Sequence, residues 1–165
     1  MSFSCPNRSA QAGGPILELA PASPAEPAHA ELIAELDGYL SALYSPEQNH
    51  LLSAEVLLQP EVTFVVARAE GSVLGCGAIV RRGREYIEVK RMFVRPGNRG
   101  RSIGERILRH LEELGRKEGF ALARLETGIR QPEALRLYER AGYRAIPAFG
   151  DYAPSGLSVF MERAL

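Results

Sequence analysis

EVKRMFVRPGNRGRSIG, residues 88–104, reads as a strand, a tight turn and the start of a helix. Met92-Phe93-Val94 ends a β-rich run, and Pro96, Gly97 and Asn98 are turn formers. From Ser102 the apolar residues fall at Ile103, Ile107, Leu108, Leu111 and Leu114, a helical spacing. A glycine-containing turn that feeds a helix leaves backbone N–H groups unpaired at the positive end of the helix dipole. Such a place suits a phosphate or pyrophosphate, and Arg99 and Arg101 add positive charge beside it. The same residues also fit an ordinary strand–turn–helix, with Ser102 and Glu105 as a capping box that needs no ligand. The spacing is neither G-x-G-x-x-G nor a P-loop.

Outward from this stretch the pattern alternates between two periods. Upstream, Ile16–Ala20 is a short strand and residues 27–43 form a helix on Leu32, Ile33, Leu36, Leu40 and Leu43, with Pro27 in its first turn. Ser45-Pro46 ends that helix, and Ser53 opens a short second one. Residues 61–69, 73–82 and 86–94 are β-branched runs joined by short turns, so they form three consecutive antiparallel strands. Gly75 and Gly77 inside the second of these predict a bulge or a close approach. Downstream of the helix at 102–117, with Gly119 as its C-cap, come a strand at 120–127, a helix from Pro132 to about Gly142, and strands at 143–149 and 157–162. The order β-α-α-β-β-β-α-β-α-β-β predicts a single α/β domain, a mixed and mostly antiparallel sheet flanked by helices. Residues 1–15 are polar, Gly-rich and aperiodic and read as a disordered tail, leaving 16–165 as the domain.

Composition narrows the function classes. Lys+Arg and Asp+Glu balance at 20 each, so no electrostatic case exists for nucleic acid or an acidic membrane surface. The two cysteines, Cys5 in the tail and Cys76 in an apolar strand, make no disulfide framework and suit a reducing cytoplasm. No apolar run reaches membrane-spanning length.

The run VRPGNRGRSIG resembles the acyl-CoA-binding motif of the GNAT superfamily of N-acetyltransferases, Gln/Arg-x-x-Gly-x-Gly/Ala after a strand ending in Val-x-Pro. Here the motif falls on Arg99-x-x-Ser102-x-Gly104, with Ser102 in place of the middle glycine. A second block, LETGIRQPEALRLYERAGYRAI at 125–146, is similar to the family's Asn-x-x-Ala-x-x-Leu-Tyr-x-x-x-Gly-Phe segment, matched at Gln131, Ala134, Leu137, Tyr138, Gly142 and Tyr143. The tail FGDYAPSGLSVFMERAL and the early LYSPEQNHLL further resemble a bacterial subgroup of small GNAT proteins.

The resemblance implies an acetyl-CoA-dependent N-acetyltransferase that transfers an acetyl group directly to the primary amine of a small metabolite or amino-acid-like acceptor, with no metal. Its alternatives are a protein N-terminal or lysine acetyltransferase and a non-catalytic acyl-CoA-binding module. It implies that the backbone of Arg99, Gly100, Arg101, Ser102, Ile103 and Gly104 holds the pyrophosphate, with Gln131 and Tyr138 also against the coenzyme. Met92, Phe93 and Val94 would pair like a strand with the pantetheine arm, a backbone N–H among them polarising the thioester. Tyr138 is the implied acid near the sulfur. For the base, period-2 alternation puts Glu88, Lys90, Met92 and Val94 on one strand face, which favours Glu88. The rival reading of Glu88 is a salt bridge, and Glu126 is the second candidate. His50 and Arg91 are candidate acceptor contacts; Lys90, Arg91 and Arg130 are the cations available for a substrate carboxylate, Glu126 and Asp151 the acids for an amine. The apolar LSVFM segment is a candidate homodimer strand.

Overall fold

The computed structural model of the protein describes residues 16–165, so the expected tail at 1–15 and Cys5 lie outside the described residues. The chain runs β1 (Glu18–Pro21), α1 (Pro27–Leu43), α2 (Ala54–Leu57), β2 (Val62–Ala69), β3 (Ser72–Arg82), β4 (Tyr86–Val94), α3 (Ile103–Lys117), β5 (Leu122–Gly128), α4 (Pro132–Arg140), β6 (Arg144–Ile146) and β7 (Ser158–Ala164). One-turn 3-10 segments at Pro46–Gln48 and Pro96–Asn98 complete it. The strands form one seven-stranded sheet in the order β1-β2-β3-β4-β5-β7-β6. Every pairing is antiparallel except β4 with β5.

Two apolar layers hold the sheet. On one face Ile107, Leu108 and Leu111 of α3, all fully buried, pack on Val65, Ile79, Ile87 and Val89. Each such side chain taken from water contributes about 1.5–3 kcal/mol. On the other face Leu32, Ile33 and Leu36 of α1 pack on Phe64, Val66, Cys76 and Phe93. Both helices therefore sit where their apolar stripes direct them. Gly119, at φ 88°, closes α3 with the N–H of Phe120 donating to Gly115 O at 3.0 Å.

Three local expectations change. Ser102 is the N-cap of α3, but its side chain caps nothing and its backbone is left-handed, φ 57°. The helix start is thus shaped by backbone and not by a capping box. Glu112, whose spacing from Arg116 reads as an exposed i,i+4 pair on α3, is instead 1% exposed and bound by Arg163 at 3.0 Å. The strand expected over 143–149 shortens to Arg144–Ile146, because Tyr143 packs into the α3 layer while Phe149 joins a separate cluster with Tyr86 and Phe160.

The fourth change is in β4. Cys76 pairs with Phe93 and Ala78 with Lys90, so Gly77 alone faces both Arg91 and Met92. That is a β-bulge with one extra residue in β4. Its first residue, Arg91, adopts φ 57°. Alternation therefore breaks at Arg91. Glu88, Lys90 and Phe93 stay on the α1 side, while Met92 and Val94 join Ile87 and Val89 on the α3 side. Glu88 and Met92 do not share a face. Gly77 permits the arrangement: a Cβ there would sit 2.8 Å from Met92 Sδ and 2.9 Å from Ile107 and Leu111.

Candidate active site

β4 and β5 pair only over Ile87–Val89 and Ala123–Leu125, then part. The opening between Lys90–Val94 and Glu126–Gly128 is a deep cleft with a volume of about 520 Å³. It runs from the start of α3, past α4, to the loops after α1 and before β7.

At the α3 end the cleft is lined by Arg99, Gly100, Ser102, Ile103 and Gly104. The first backbone bond onto the helix is Arg106 N–H to Ser102 O at 3.0 Å. The N–H groups of residues 100–105 have no backbone acceptor among the described residues. Gly100 and Ser102, both at positive φ, turn this segment into a concave row of donors. Arg99 folds back: its Nε donates to Val94 O at 3.0 Å and its guanidinium lies 5.4 Å over Tyr39. Arg101 faces the neighbouring groove instead. A pyrophosphate therefore fits the donors present, and a Cβ on Gly104 would meet only ordinary contacts.

Midway, Met92, Phe93 and Val94 form one wall and α4 the other. Gln131 is the N-cap position of α4, and its side-chain oxygen accepts from Gly128 N at 3.2 Å. Tyr138 is buried and lines the cleft. Burial, and then the nearby Glu126 carboxylate, push its phenol well above the usual tyrosine range, so it stays protonated.

The far end is built from three elements. Glu126, one residue beyond the last β4–β5 pair, lines the cleft and accepts from Ser158 Oγ at 2.8 Å; Ser155 donates to Ser158 at 3.3 Å from the surface. Lys90 is 8% exposed and also lines it. Its ammonium donates to Tyr152 Oη at 2.5 Å and to His50 O at 3.2 Å, so one cation ties together the two loops that cap this end. The exposed His50 ring packs edge-on to Tyr152 at 5.2 Å. Burial lowers the affinity of Lys90 for its proton, and Glu88 at 3.6 Å opposes that. Arg91 binds Asp37 of α1 and the Leu52 carbonyl.

Glu88 lies beneath this floor and not in the cleft. It is 1% exposed, is absent from the cleft lining, and is held by Arg82 at 2.7 Å, by the Tyr152 hydroxyl and by Lys90. Of the expected residues, then, the cleft gathers Met92, Phe93, Val94, Arg99, Gly100, Ser102, Ile103, Gly104, Gln131, Tyr138, His50, Glu126 and Arg91. Glu88 and Arg101 fall outside its lining. Arg130 donates to Leu43 O at 2.6 Å and Asp151 is exposed; neither lines the cleft. Cys76 is core, its thiol pushed up to about 12 by burial.

Three contributors were not anticipated. Tyr152 sits in a turn-rich loop with no periodicity to mark it. Ser158 is the first residue of β7. Tyr44 accepts from Arg130 N at 2.9 Å and occupies the space above Gly128, where a Cβ would lie 1.9 Å from its hydroxyl. Only Gly128 offered a signal, as a glycine ending a strand.

The profile of the acetyltransferase (GNAT) domain family matches residues 60–145. An IAA acetyltransferase of Azospirillum brasilense is 45% identical over 152 residues, covering 92% of this chain and 99% of that protein. A Klebsiella pneumoniae structure assigned to the acyl-CoA N-acyltransferases superposes with TM-score 0.79 at 36% identity, covering 91% of this chain and 98% of that one. PaiA N-acetyltransferase of Thermoplasma acidophilum, solved with coenzyme A, gives TM-score 0.74 at 19% identity over 91% of this chain and 99% of that one, a likeness of fold.

Proposed function

The chain belongs to the GNAT acetyltransferases, and from that premise we propose that it transfers an acetyl group directly from acetyl-CoA to the primary amine of a small acceptor. The observation that carries this reading is the continuous cleft between the parted strands, with unpaired donors at one end, Tyr138 midway, and Glu126 and Lys90 at the other. The row of N–H groups at residues 100–105 takes the pyrophosphate. The free edge of β4 beyond Val89 takes the pantetheine arm, and a backbone N–H of the Met92–Val94 segment polarises the thioester carbonyl. The amine nitrogen attacks that carbon, its proton leaving to Glu126 directly or through water. As the C–S bond breaks, Tyr138 donates a hydrogen bond to the departing sulfur. Burial keeps the phenol protonated for that task.

The base role goes to Glu126 in this reading because Glu126 lines the cleft and Glu88 does not. Ser158 fixes its carboxylate, and the step to Ser155 offers the proton a route to the surface. A small acceptor is favoured over a polypeptide because the His50 and Tyr152 loops meet on one ammonium and roof the acceptor end. The test is titration calorimetry with acetyl-CoA and with CoA, followed by thiol release with free amines and with peptides. Micromolar binding and turnover with free amines is the expected result. Turnover with peptides alone would refute the small-acceptor reading, and absence of acetyl-CoA binding would refute the whole.

A further inference from the structure

Resting on that reading, we infer that the acceptor is an amine that also carries an anionic group, and that Lys90 is the residue that selects it. The bulge in β4 is the starting point. Lys90 and Arg91 are neighbours in sequence, so an unbroken strand would send them to opposite faces. Instead Lys90 stays on the α1 side, paired through Ala78, while Arg91 at φ 57° turns to Asp37 of α1. Two consecutive cations thus reach the same side of the sheet and the same end of the cleft. A non-glycine residue in the left-handed region is strained, and such strain gathers at functional sites.

Apart from Glu126 on the opposite strand, the charges there do not cancel. Glu88 is shared between Arg82 and Lys90, so these three groups carry one net positive charge. Asp37 balances Arg91, yet the Arg91 Nε is buried with no hydrogen-bond partner among the described residues. Among the described residues, the one carboxylate lining this end is Glu126, on the opposite strand. The end is therefore bipolar: an acidic wall on β5 for the ammonium, a basic wall on β4 for an anion. Both bonds that Lys90 makes to the capping loops, to His50 O and to Tyr152 Oη, go to neutral acceptors that a carboxylate or phosphonate oxygen outcompetes.

The assay is acetyl-CoA-dependent thiol release with matched pairs: the common α-amino acids against their carboxamides, and 2-aminoethylphosphonate against ethanolamine. The wild-type enzyme is expected to prefer the anionic member of at least one pair by ~10- to 100-fold in kcat/KM, the scale of a charge-assisted contact. Which pair responds tells carboxylate from phosphonate. In Lys90→Met that preference collapses, kcat/KM falling far more for the anionic member of the pair than for its neutral partner. Lys90→Arg restores part of it. Glu88 keeps Arg82 and Tyr152 in both variants. Equal or better use of the neutral partners by wild type overturns the inference and leaves the small-amine reading standing. A preference that survives in Lys90→Met removes Lys90 as its source. Failure of every free amine, with acetyl-CoA still bound, takes both readings down together.

Discussion

Glu88→Gln separates a structural carboxylate from a catalytic one. The side chain is 1% exposed and serves three partners: Arg82 at 2.7 Å, the Tyr152 hydroxyl, and Lys90 at 3.6 Å. Glutamine keeps the shape and one acceptor oxygen but removes the charge. Lys90, itself 8% exposed, is then left without its counter-ion. Breaking a buried pair costs about 3–5 kcal/mol. Arg82 is 42% exposed and regains solvation, which discounts that figure to about 2–3 kcal/mol. For a chain of 165 residues this lowers Tm by about 4–12 °C, at roughly 2–4 °C per kcal/mol. Well below the melt, kcat should fall less than about tenfold, because a residue outside the cleft loses no transition-state contact. The assays are thermal melting and the pH dependence of kcat/KM. A variant that melts like wild type, loses about a thousandfold in kcat and lacks the acidic limb of the profile would make Glu88 the base and refute this reasoning.

Tyr138→Phe should lower kcat by about 10- to 100-fold, the loss of a hydrogen bond to developing charge, with acetyl-CoA affinity by calorimetry within about twofold. Because the raised phenol holds its proton, the wild-type profile should show no tyrosine-dependent decline up to about pH 10, where an unperturbed tyrosine begins to ionise; an alkaline limb that vanishes in the phenylalanine variant would contradict this. Ser102→Gly should leave coenzyme binding intact and raise stability by about 0.5–1 kcal/mol, relief of left-handed strain less the added freedom of the unfolded chain. A lower Tm in that variant would mean that the hydroxyl holds something. Gly128→Ala should displace Tyr44, whose hydroxyl lies 1.9 Å from the new Cβ, and destabilise by about 1–3 kcal/mol; Tyr44→Ala in the same chain should recover part of the loss in a melt.

The elements were readable because their signals are local. α1 begins and ends at the proline and leucine that its periodicity marks, and α3 ends at the glycine that caps it. What escaped was set by partners remote in sequence. Tyr152 meets Glu88 across 64 positions and Tyr44 meets Arg130 across 86, and no window of the chain contains both members. The shortened β6 has the same cause, since Phe149 is drawn off by aromatic partners at Tyr86 and Phe160.

The expectation that Glu88 and Met92 share a strand face failed for a more instructive reason. Alternation along β4 is sound up to Lys90, and a bulge resets it. The hint was present in the neighbouring strand, at Gly77, where any larger residue would collide with Met92, Ile107 and Leu111. Without that glycine α3 could not lie close enough to accept Met92 on its side. One extra residue then serves two ends of the reaction at once. It turns Met92 and Val94 toward α3 and α4, where the coenzyme arm is expected, and it leaves Lys90 and Arg91 together on the α1 side, where the acceptor is expected. An unbulged β4 would place Met92 beside Lys90 and send Arg91 into the apolar layer under α3, burying a charge with no carboxylate near it. The strain at Arg91 is offset by its bonds to Asp37, Leu52 and Cys76, all of them contributed by elements that frame the acceptor end or the bulge itself.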